Sequence, residues 1–420
     1  MTPSLWTRAA LLIVVGLLVP VGLVGCVPSA EPRGIRGLAE GAEGAESRGD
    51  TAGASAGIQG REHDDIDGGG AVEVSAPARA LVVADDHGAL TLLDLASEHR
   101  SHIADSAGAL AAFDGTGRFV LLTRVSDGIS TVDVIDSGRW TQPHGDHSHY
   151  FAGSPRPLGT VEGAGPAAVG VGADATVIRF DGSAEIVTLT HEALAESGTN
   201  AATRAAVKTQ TASPAPALLV AGELVIATRT GIVVPGLDEI ECTGASDADV
   251  TRVGAVFTCA EGAVLVRREV GGTLAAESIP YPADAEVAAS ALSGRADRPD
   301  LAGVAGVRGA WLLDVRSRAW TLLSTDAPLV HVSAVGDDDS RTVVIDVHGR
   351  LSILGPDGTL LARTEPLVTA ADDRMQLLVD GHHAYVSDPA AGVVHEIDLV
   401  DGSVARTFTG LQPWAIALVG

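Results

Sequence analysis

Residues 384–410 have the sequence AYVSDPAAGVVHEIDLVDGSVARTFTG, in which three short apolar runs alternate with two turns. Each run has four to six residues with period-two alternation, and Asp401-Gly402 is a favoured hairpin dipeptide. The stretch therefore predicts three consecutive antiparallel strands.

The same pattern recurs along the chain at intervals of roughly forty residues, the mark of a propeller blade repeat. Corresponding units begin near Leu81, Phe119, Ala168, Leu218, Ala255, Gly303, Arg341 and Leu377. We predict an all-β protein, a β-propeller of about eight four-stranded blades. Seven blades stay open, because residues 191–213 are polar and rich in Ala and Thr and suggest a long insertion between strands.

The last apolar run, residues 414–419, has no local partner. We expect it to pair beside the first unit near Leu81, which would close the ring and remove the free sheet edges. A pair of β-sandwiches is the alternative, and it predicts no contact between the two ends of the domain.

The N-terminal segment carries export signals. Residues 1–26 contain Arg8, an apolar stretch and a final Leu-Val-Gly-Cys, which predicts a signal peptide ending in a lipobox with Cys26 as the lipidated residue. Residues 27–78 are rich in Gly, Ala and acidic residues and should form a disordered tether before a propeller domain at 79–420. We expect a protein anchored by lipid on the outer face of the cell membrane. A plain cleaved signal with a chance cysteine is the alternative.

The chain of 420 residues has a formal net charge of −26. Such an acidic surface excludes nucleic acid as a partner and raises the local concentration of cations. We expect a monomer.

Two cysteines remain after Cys26. In an exported protein, Cys242 and Cys259 predict a disulfide, with a two-thiolate zinc site as the alternative.

A histidine cluster stands out in the sequence PHGDHSHYF at residues 143–151. Imidazole nitrogen and carboxylate oxygen are ordinary Zn²⁺ ligands, and no helical or strand period orders the cluster. We predict a loop that binds Zn²⁺; a solvated polar loop is the alternative.

Enzyme motifs are absent from the sequence. It contains no G-x-S-x-G elbow, P-loop or dinucleotide fingerprint, and its tryptophans do not repeat by unit as a quinone site would require. We predict a non-enzymatic protein, with a surface hydrolase or quinoprotein-like enzyme as the alternative.

The order of these features resembles the AztD family of periplasmic zinc metallochaperones. The resemblance is carried by the H-G-D-H-S-H loop, by Pro157-Leu158-Gly159 and Phe180-Asp181-Gly182, by the paired cysteines with Thr258-Cys259-Ala260, and by Val330-His331-Val332 and residues 387–392. It extends over most of residues 80–420.

The resemblance implies a propeller that binds zinc and passes it to the solute-binding protein of a zinc ABC importer. On matching positions it implies His144, Asp146, His147 and His149 as loop ligands and His331 as a channel ligand. Family members carry further histidines where this chain has Gly165-Pro166-Ala167, Ala215-Pro216-Ala217 and Cys242-Thr243-Gly244. The loop would therefore supply most of the ligands. A metal-independent interaction scaffold at the cell surface is the alternative function.

Overall fold

A computed structural model describes residues 70–144, 147–206, 216–368, 371–372 and 374–420. The chain divides into two units, Met1–Glu62 and His63–Gly420, and every described residue belongs to the second. The predicted signal peptide, Cys26 and the tether up to residue 69 lie outside the described residues. In the part that is described, no helix has the length and apolar character needed to cross a membrane.

The described residues form 34 strands, one short α-helix and one 3₁₀ helix. The first strands are β1 (Val72–Val74), β2 (Ala80–Ala84), β3 (Leu90–Asp94), β4 (Arg100–Ala104), β5 (Ala112–Gly115), β6 (Phe119–Ser126), β7 (Ile129–Asp136), β8 (Arg139–His144), β9 (His147–Ala152) and β10 (Arg156–Ala164). Next come β11 (Ala167–Val171), β12 (Ala175–Phe180), β13 (Glu185–Thr190), helix α1 (His191–Ser197), the 3₁₀ helix (Gly198–Ala201), β14 (Thr203–Ala206), β15 (Ala217–Val220), β16 (Glu223–Ala227), β17 (Gly231–Val233) and β18 (Ile240–Glu241).

From residue 247 onward, all the described elements are strands. They are β19 (Asp247–Val250), β20 (Ala255–Cys259), β21 (Gly262–Arg268), β22 (Leu274–Pro280), β23 (Asp300–Val304), β24 (Gly309–Asp314), β25 (Ala319–Ser324), β26 (Leu329–Ala334), β27 (Thr342–Asp346), β28 (Leu351–Leu354), β29 (Leu360–Arg363), β30 (Leu377–Val379), β31 (His383–Asp388), β32 (Val393–Asp398), β33 (Val404–Thr409) and β34 (Ala415–Val419).

Eight antiparallel sheets follow one another along the chain as propeller blades. In order they contain β34-β2-β3-β4, β5-β6-β7-β10, β11 to β14, β15 to β18, β19 to β22, β23 to β25, β26 to β29 and β30 to β33. The sixth blade has three strands, and an isolated bridge from Ser293 to Ala302 stands beside β23 in place of a fourth. The all-β propeller with eight blades is confirmed.

The two ends of the domain meet in the first blade. β34 pairs antiparallel with β2 over five residues, from Ala80 opposite Val419 to Ala84 opposite Ala415. The predicted pairing of the C-terminal strand is therefore confirmed. It covers an edge of β2 that would otherwise expose unpaired backbone groups.

The core is divided among the spaces between blades. Buried apolar clusters join each blade to the next, and one of them joins the eighth blade to the first through Tyr385, Phe408 and Leu81. Middle strands such as β2 and β12 are buried at every position because a neighbouring blade covers each face. This double coverage explains why the sequence shows short, mostly apolar runs there.

Residues 191–213 were predicted as an insertion, and the described part of them, residues 191–206, forms regular structure instead. Helix α1 and the 3₁₀ helix lead into β14, which completes the third blade beside β13. The helix ends at Gly198, whose φ of 60° suits glycine, and it buries Leu194 and Ala195 against the adjacent core. Its seven residues are too few to give a helical period in the sequence.

The predicted disulfide is confirmed. Cys242 follows β18 in the fourth blade and is bonded to Cys259 at the end of β20 in the fifth. Both cysteines are buried, and the two-thiolate zinc alternative is excluded.

A ninth sheet stands outside the blades. The β8–β9 hairpin is inserted between β7 and β10 of the second blade, and β1 pairs with β9 to give the order β1-β9-β8. Residues 72–74 were expected in the tether, so this strand shortens the predicted tether. They form a strand because β9 offers an open edge next to them, which the local sequence does not reveal.

Candidate metal centre

The histidine cluster lies on the β8–β9 hairpin, where the sequence predicts a loop. His144 ends β8 directly opposite His147, which begins β9, and Gln142 lies opposite His149. Residues two apart on a strand share a face, as do directly opposite residues on paired strands. All three imidazoles therefore project from one face of the hairpin. The hairpin forms because Arg139–His144 and His147–Ala152 pair along their whole length. Neither segment alone has a strand pattern, so the sequence does not predict this pairing.

The three rings converge at the tip of the hairpin. The Nε2 atoms of His147 and His149 are 3.1 Å apart, and one ligand nitrogen from each of the three histidines lies within 4.8 Å of the others. The ring centroid of His144 is 5.3 Å from that of His147 and 5.7 Å from that of His149, whereas the centroids of His147 and His149 are 4.9 Å apart. His144 is therefore the most distant member.

This geometry suits a small tetrahedral cation. Zinc binds imidazole nitrogen at about 2.0–2.1 Å, which places two ligands of one ion about 3.3 Å apart. The nitrogens of His147 and His149 are already near that separation, at 3.1 Å, whereas the set of three spans up to 4.8 Å, so the His144 ring has to move inward to share an ion. Three protein ligands leave a fourth position for water or for a group from another molecule.

The cluster is accessible to solvent. His144 and His147 are exposed and His149 is half-buried. An ion at this tip can be reached without opening the fold, and the net charge of −26 favours the approach of cations.

A carboxylate supports the cluster from the neighbouring strand. Glu73 on β1 lies opposite Phe151 of β9, and its Oε1 accepts a hydrogen bond from Nδ1 of His149 over 2.7 Å. Sequence reasoning missed Glu73. It is 76 residues from His149 and falls in the predicted tether, so no spacing motif connects the two.

The root of the hairpin is held on the second blade. Trp140 stacks on Phe151 on the same face as the histidines, and the guanidinium of Arg118 lies 3.7 Å from the centroid of the Trp140 ring. Arg118 also donates to the buried carboxylate of Asp136 through Nε at 3.2 Å and Nη2 at 3.0 Å. The stack braces the two strands of the hairpin against each other, and the cation–π contact joins the hairpin to Arg118, which its ion pair with Asp136 holds on the blade.

Of the other predicted metal ligands, only His331 is among the described residues. Asp146 falls outside the described residues, as does Cys26. His331 lies on β26 of the seventh blade, where its Nε2 is 3.2 Å from the carbonyl oxygen of Asp372. It is not among the three histidines that converge, and its role as a ligand stays a prediction.

Comparison with known proteins gives a likeness in structure only. No protein-family model matches the chain, and no curated protein sequence matches it. The structure of apo AztD from Citrobacter koseri superposes with a TM-score of 0.68 at 18% identity, covering 82% of this chain and 98% of that one. A second crystal structure of Citrobacter koseri AztD gives a TM-score of 0.69 with the same identity and coverage.

This chain and AztD thus share one fold over most of the described domain, despite few identical residues. The chain is an AztD-like β-propeller in its fold.

Proposed function

We propose that this protein is a non-enzymatic, extracytoplasmic metallochaperone that binds Zn²⁺ and delivers it to the solute-binding protein of a zinc ABC importer. The observation that carries the proposal is the convergence of His144, His147 and His149 at an exposed hairpin tip. The AztD-like fold supports it, because the family that the sequence resembles consists of zinc metallochaperones.

The proposed site is suited to exchange. Sites that retain zinc permanently are closed by four protein ligands, whereas three ligands leave one position open. A ligand from the receiving protein can enter that position, and the ion then moves by stepwise replacement of the imidazoles. Exposure of His144 and His147 allows the receiving protein to approach directly.

The proposal includes two further ligands and a location. Asp146, which stands between His144 and His147 in the sequence, would join the site, and His331 would take part only if the ion moves on to the propeller channel. Lipidation of Cys26 would hold the protein on the outer face of the cell membrane, where an importer's solute-binding protein operates.

The test is a zinc titration of the full chain against a chromophoric chelator in detergent. The H144A/H147A/H149A variant is compared with a matched H99A/H348A/H382A variant, which removes three exposed histidines outside the hairpin. We expect the first variant to lose one equivalent of bound zinc and the second to retain it. Equal zinc affinity in all three proteins would contradict the proposal.

Delivery is tested separately by mixing the zinc-loaded protein with the metal-free solute-binding protein of a zinc importer. Transfer should be faster than the release of zinc to a chelator alone, because direct exchange does not pass through free ion. A protein that recruits partners equally well with and without chelator, and transfers no zinc, would be a metal-independent scaffold.

A further inference from the structure

We propose that Glu73 is a positioning residue of the metal site, so that seating of β1 on the hairpin and occupancy of the site by metal are linked. The inference rests on the proposed function, because it concerns the same three histidines.

The first step concerns the proton on His149. A carboxylate only accepts hydrogen bonds, so the 2.7 Å contact requires Nδ1 of His149 to carry the proton it donates to Glu73. In the neutral imidazole, the lone pair is then on Nε2. That nitrogen is the one that lies 3.1 Å from Nε2 of His147. Glu73 therefore selects the tautomer of His149 whose free lone pair faces the shared metal position.

The second step concerns the ring orientation. The contact fixes the His149 ring from the side opposite the metal position, as carboxylates do for metal-binding histidines in general. In the metal-free protein, His147 Nε2–H can donate to Nε2 of His149. Binding of a metal ion at Nε2 of His147 would require this proton to move to Nδ1 of the same ring by exchange with solvent, so that the ring stays neutral. Removal of such a supporting group costs about 10–100-fold in metal affinity.

The third step concerns how Glu73 is held. β1 pairs with β9 through three residues only, Val72, Glu73 and Val74. Before them, the buried Ala71 packs on Gly153, where an added Cβ would lie 2.9 Å from the Cα and Cβ of Ala71. A side chain at position 153 should therefore displace β1 without altering any proposed ligand.

Linkage follows from these contacts. If seated β1 raises metal affinity, bound metal must stabilise seated β1 by the same factor. A segment held by three residue pairs should open locally at a low cost in free energy. Hydrogen exchange of its backbone amides can therefore measure whether bound metal makes this opening rarer. The strand that follows the N-terminal segment would thus take part in metal capture.

The experiment uses the full chain, with Zn²⁺ and Co²⁺ as probes. Variants are E73A, E73Q, G153A and the E73A/G153A double, with E223Q as a control for an exposed strand glutamate in another blade. We expect E73A and G153A each to weaken binding about 10-fold, the double to be no weaker than E73A, and E223Q to match the wild type. E73Q should fall between, because its amide oxygen still accepts the hydrogen bond.

The tautomer of His149 can be measured directly, and a general loss of stability would not change it. Imidazole ¹⁵N shifts of the metal-free protein should show His149 protonated on Nδ1 in the wild type and E73Q, and a mixture in E73A. Zinc should also slow exchange of the β1 amides in the wild type.

Two results separate the inference from the proposed function. If the wild type binds zinc and E73A binds it equally well with an unchanged His149 tautomer, the positioning role is refuted while the metal site stands. If the wild type binds no zinc at the hairpin, both fall together.

Discussion

The indole of Trp140 and the ring of Phe151 stack with centroids 4.8 Å apart and planes 12° from parallel. The two residues are directly opposite on β8 and β9, on the face that carries the three histidines toward the tip. Metal affinity at the tip depends on how firmly this root is held, because a site must keep its ligands close to their binding geometry before the ion arrives.

Substitution of Trp140 by Ala should weaken both the hairpin and the metal site. The change removes the stack and the cation–π contact from Arg118, which together are worth about 1–2 kcal/mol. We expect zinc affinity to fall several-fold, measured by chelator competition. W140F retains a stacked ring and should keep most of the affinity. Equal affinity in W140A and the wild type would show that the root does not order the tip.

Sequence periodicity was sufficient to predict the blades. Middle strands such as β2 and β12 are covered on both faces, so each appears in the sequence as a short, mostly apolar run beside a turn. The cluster of three histidines was equally visible, because its members lie within six residues. Local patterns of this kind need no knowledge of the rest of the chain.

Features made by distant pairing could not be predicted in that way. Glu73 reaches His149 only because β1 pairs with β9, and neither partner carries a pattern that identifies the other. The hairpin itself was taken for a loop, since histidine, glycine and serine give no apolar alternation. Helix α1 was missed because two buried residues in seven cannot establish a period.

Asp114 should make the folded protein less stable as the pH rises toward neutrality. Burial, followed by repulsion from Asp247, raises the pKa of Asp114 to about 7. Burial also raises the pKa of Asp247 and of Asp249, and these residues lie on β19, which like β5 is the first strand of its blade. Asp114 binds its proton in the folded state between about pH 4 and pH 7, where it is ionised in the unfolded chain.

Since the folded state then holds more protons than the unfolded state, the free energy of unfolding falls as the pH rises through this window. Replacement of Asp114 by Asn should remove that contribution and stabilise the protein at pH 8 by up to about 4 kcal/mol relative to its effect at pH 4, since the pKa shift spans about three units at about 1.4 kcal/mol each. Denaturant unfolding at the two pH values measures it, with the exposed Asp338→Asn as the control. A D114N effect that is the same at both pH values would contradict the prediction.

The disulfide should stabilise the contact between the fourth and fifth blades. Cys242 and Cys259 are separated by 17 residues, and release of a loop of that size costs about 3 kcal/mol on the chain-entropy model. We expect the C242S/C259S variant to unfold at a lower temperature, measured by calorimetry. Reductant should lower the unfolding temperature of the wild type and leave that of the variant unchanged; a reductant effect on both would point to another cause.

Lipidation of Cys26 is testable without any structural assumption. The wild-type protein should fractionate with membranes, and mass spectrometry should find acyl chains on its N-terminal cysteine. C26S should lose the lipid and leave the membrane fraction or remain as the uncleaved precursor. The C242S/C259S variant provides the matched control, because it removes cysteines without touching the lipobox. Unaltered membrane association of C26S with no lipid on the wild type would refute the anchor.

The three histidines should contribute unequally to zinc binding. His147 and His149 already hold their nitrogens 3.1 Å apart, whereas the His144 ring is the most distant of the three and must move to reach a common ion. The free energy needed for that movement reduces the net gain from the third ligand.

We therefore expect H144A to weaken zinc binding by about 10-fold and H147A or H149A by at least about 100-fold, at roughly 1.4 kcal/mol for each factor of ten. Cobalt absorption reports the change in ligand number directly, because fewer nitrogen donors shift the visible bands. Acidification should weaken binding in the wild type, since zinc binds only the neutral imidazole and protons compete for the same nitrogens. Three equal losses would mean that the ion draws the hairpin into a symmetric site, and that the 3.1 Å pair does not form in advance of the metal.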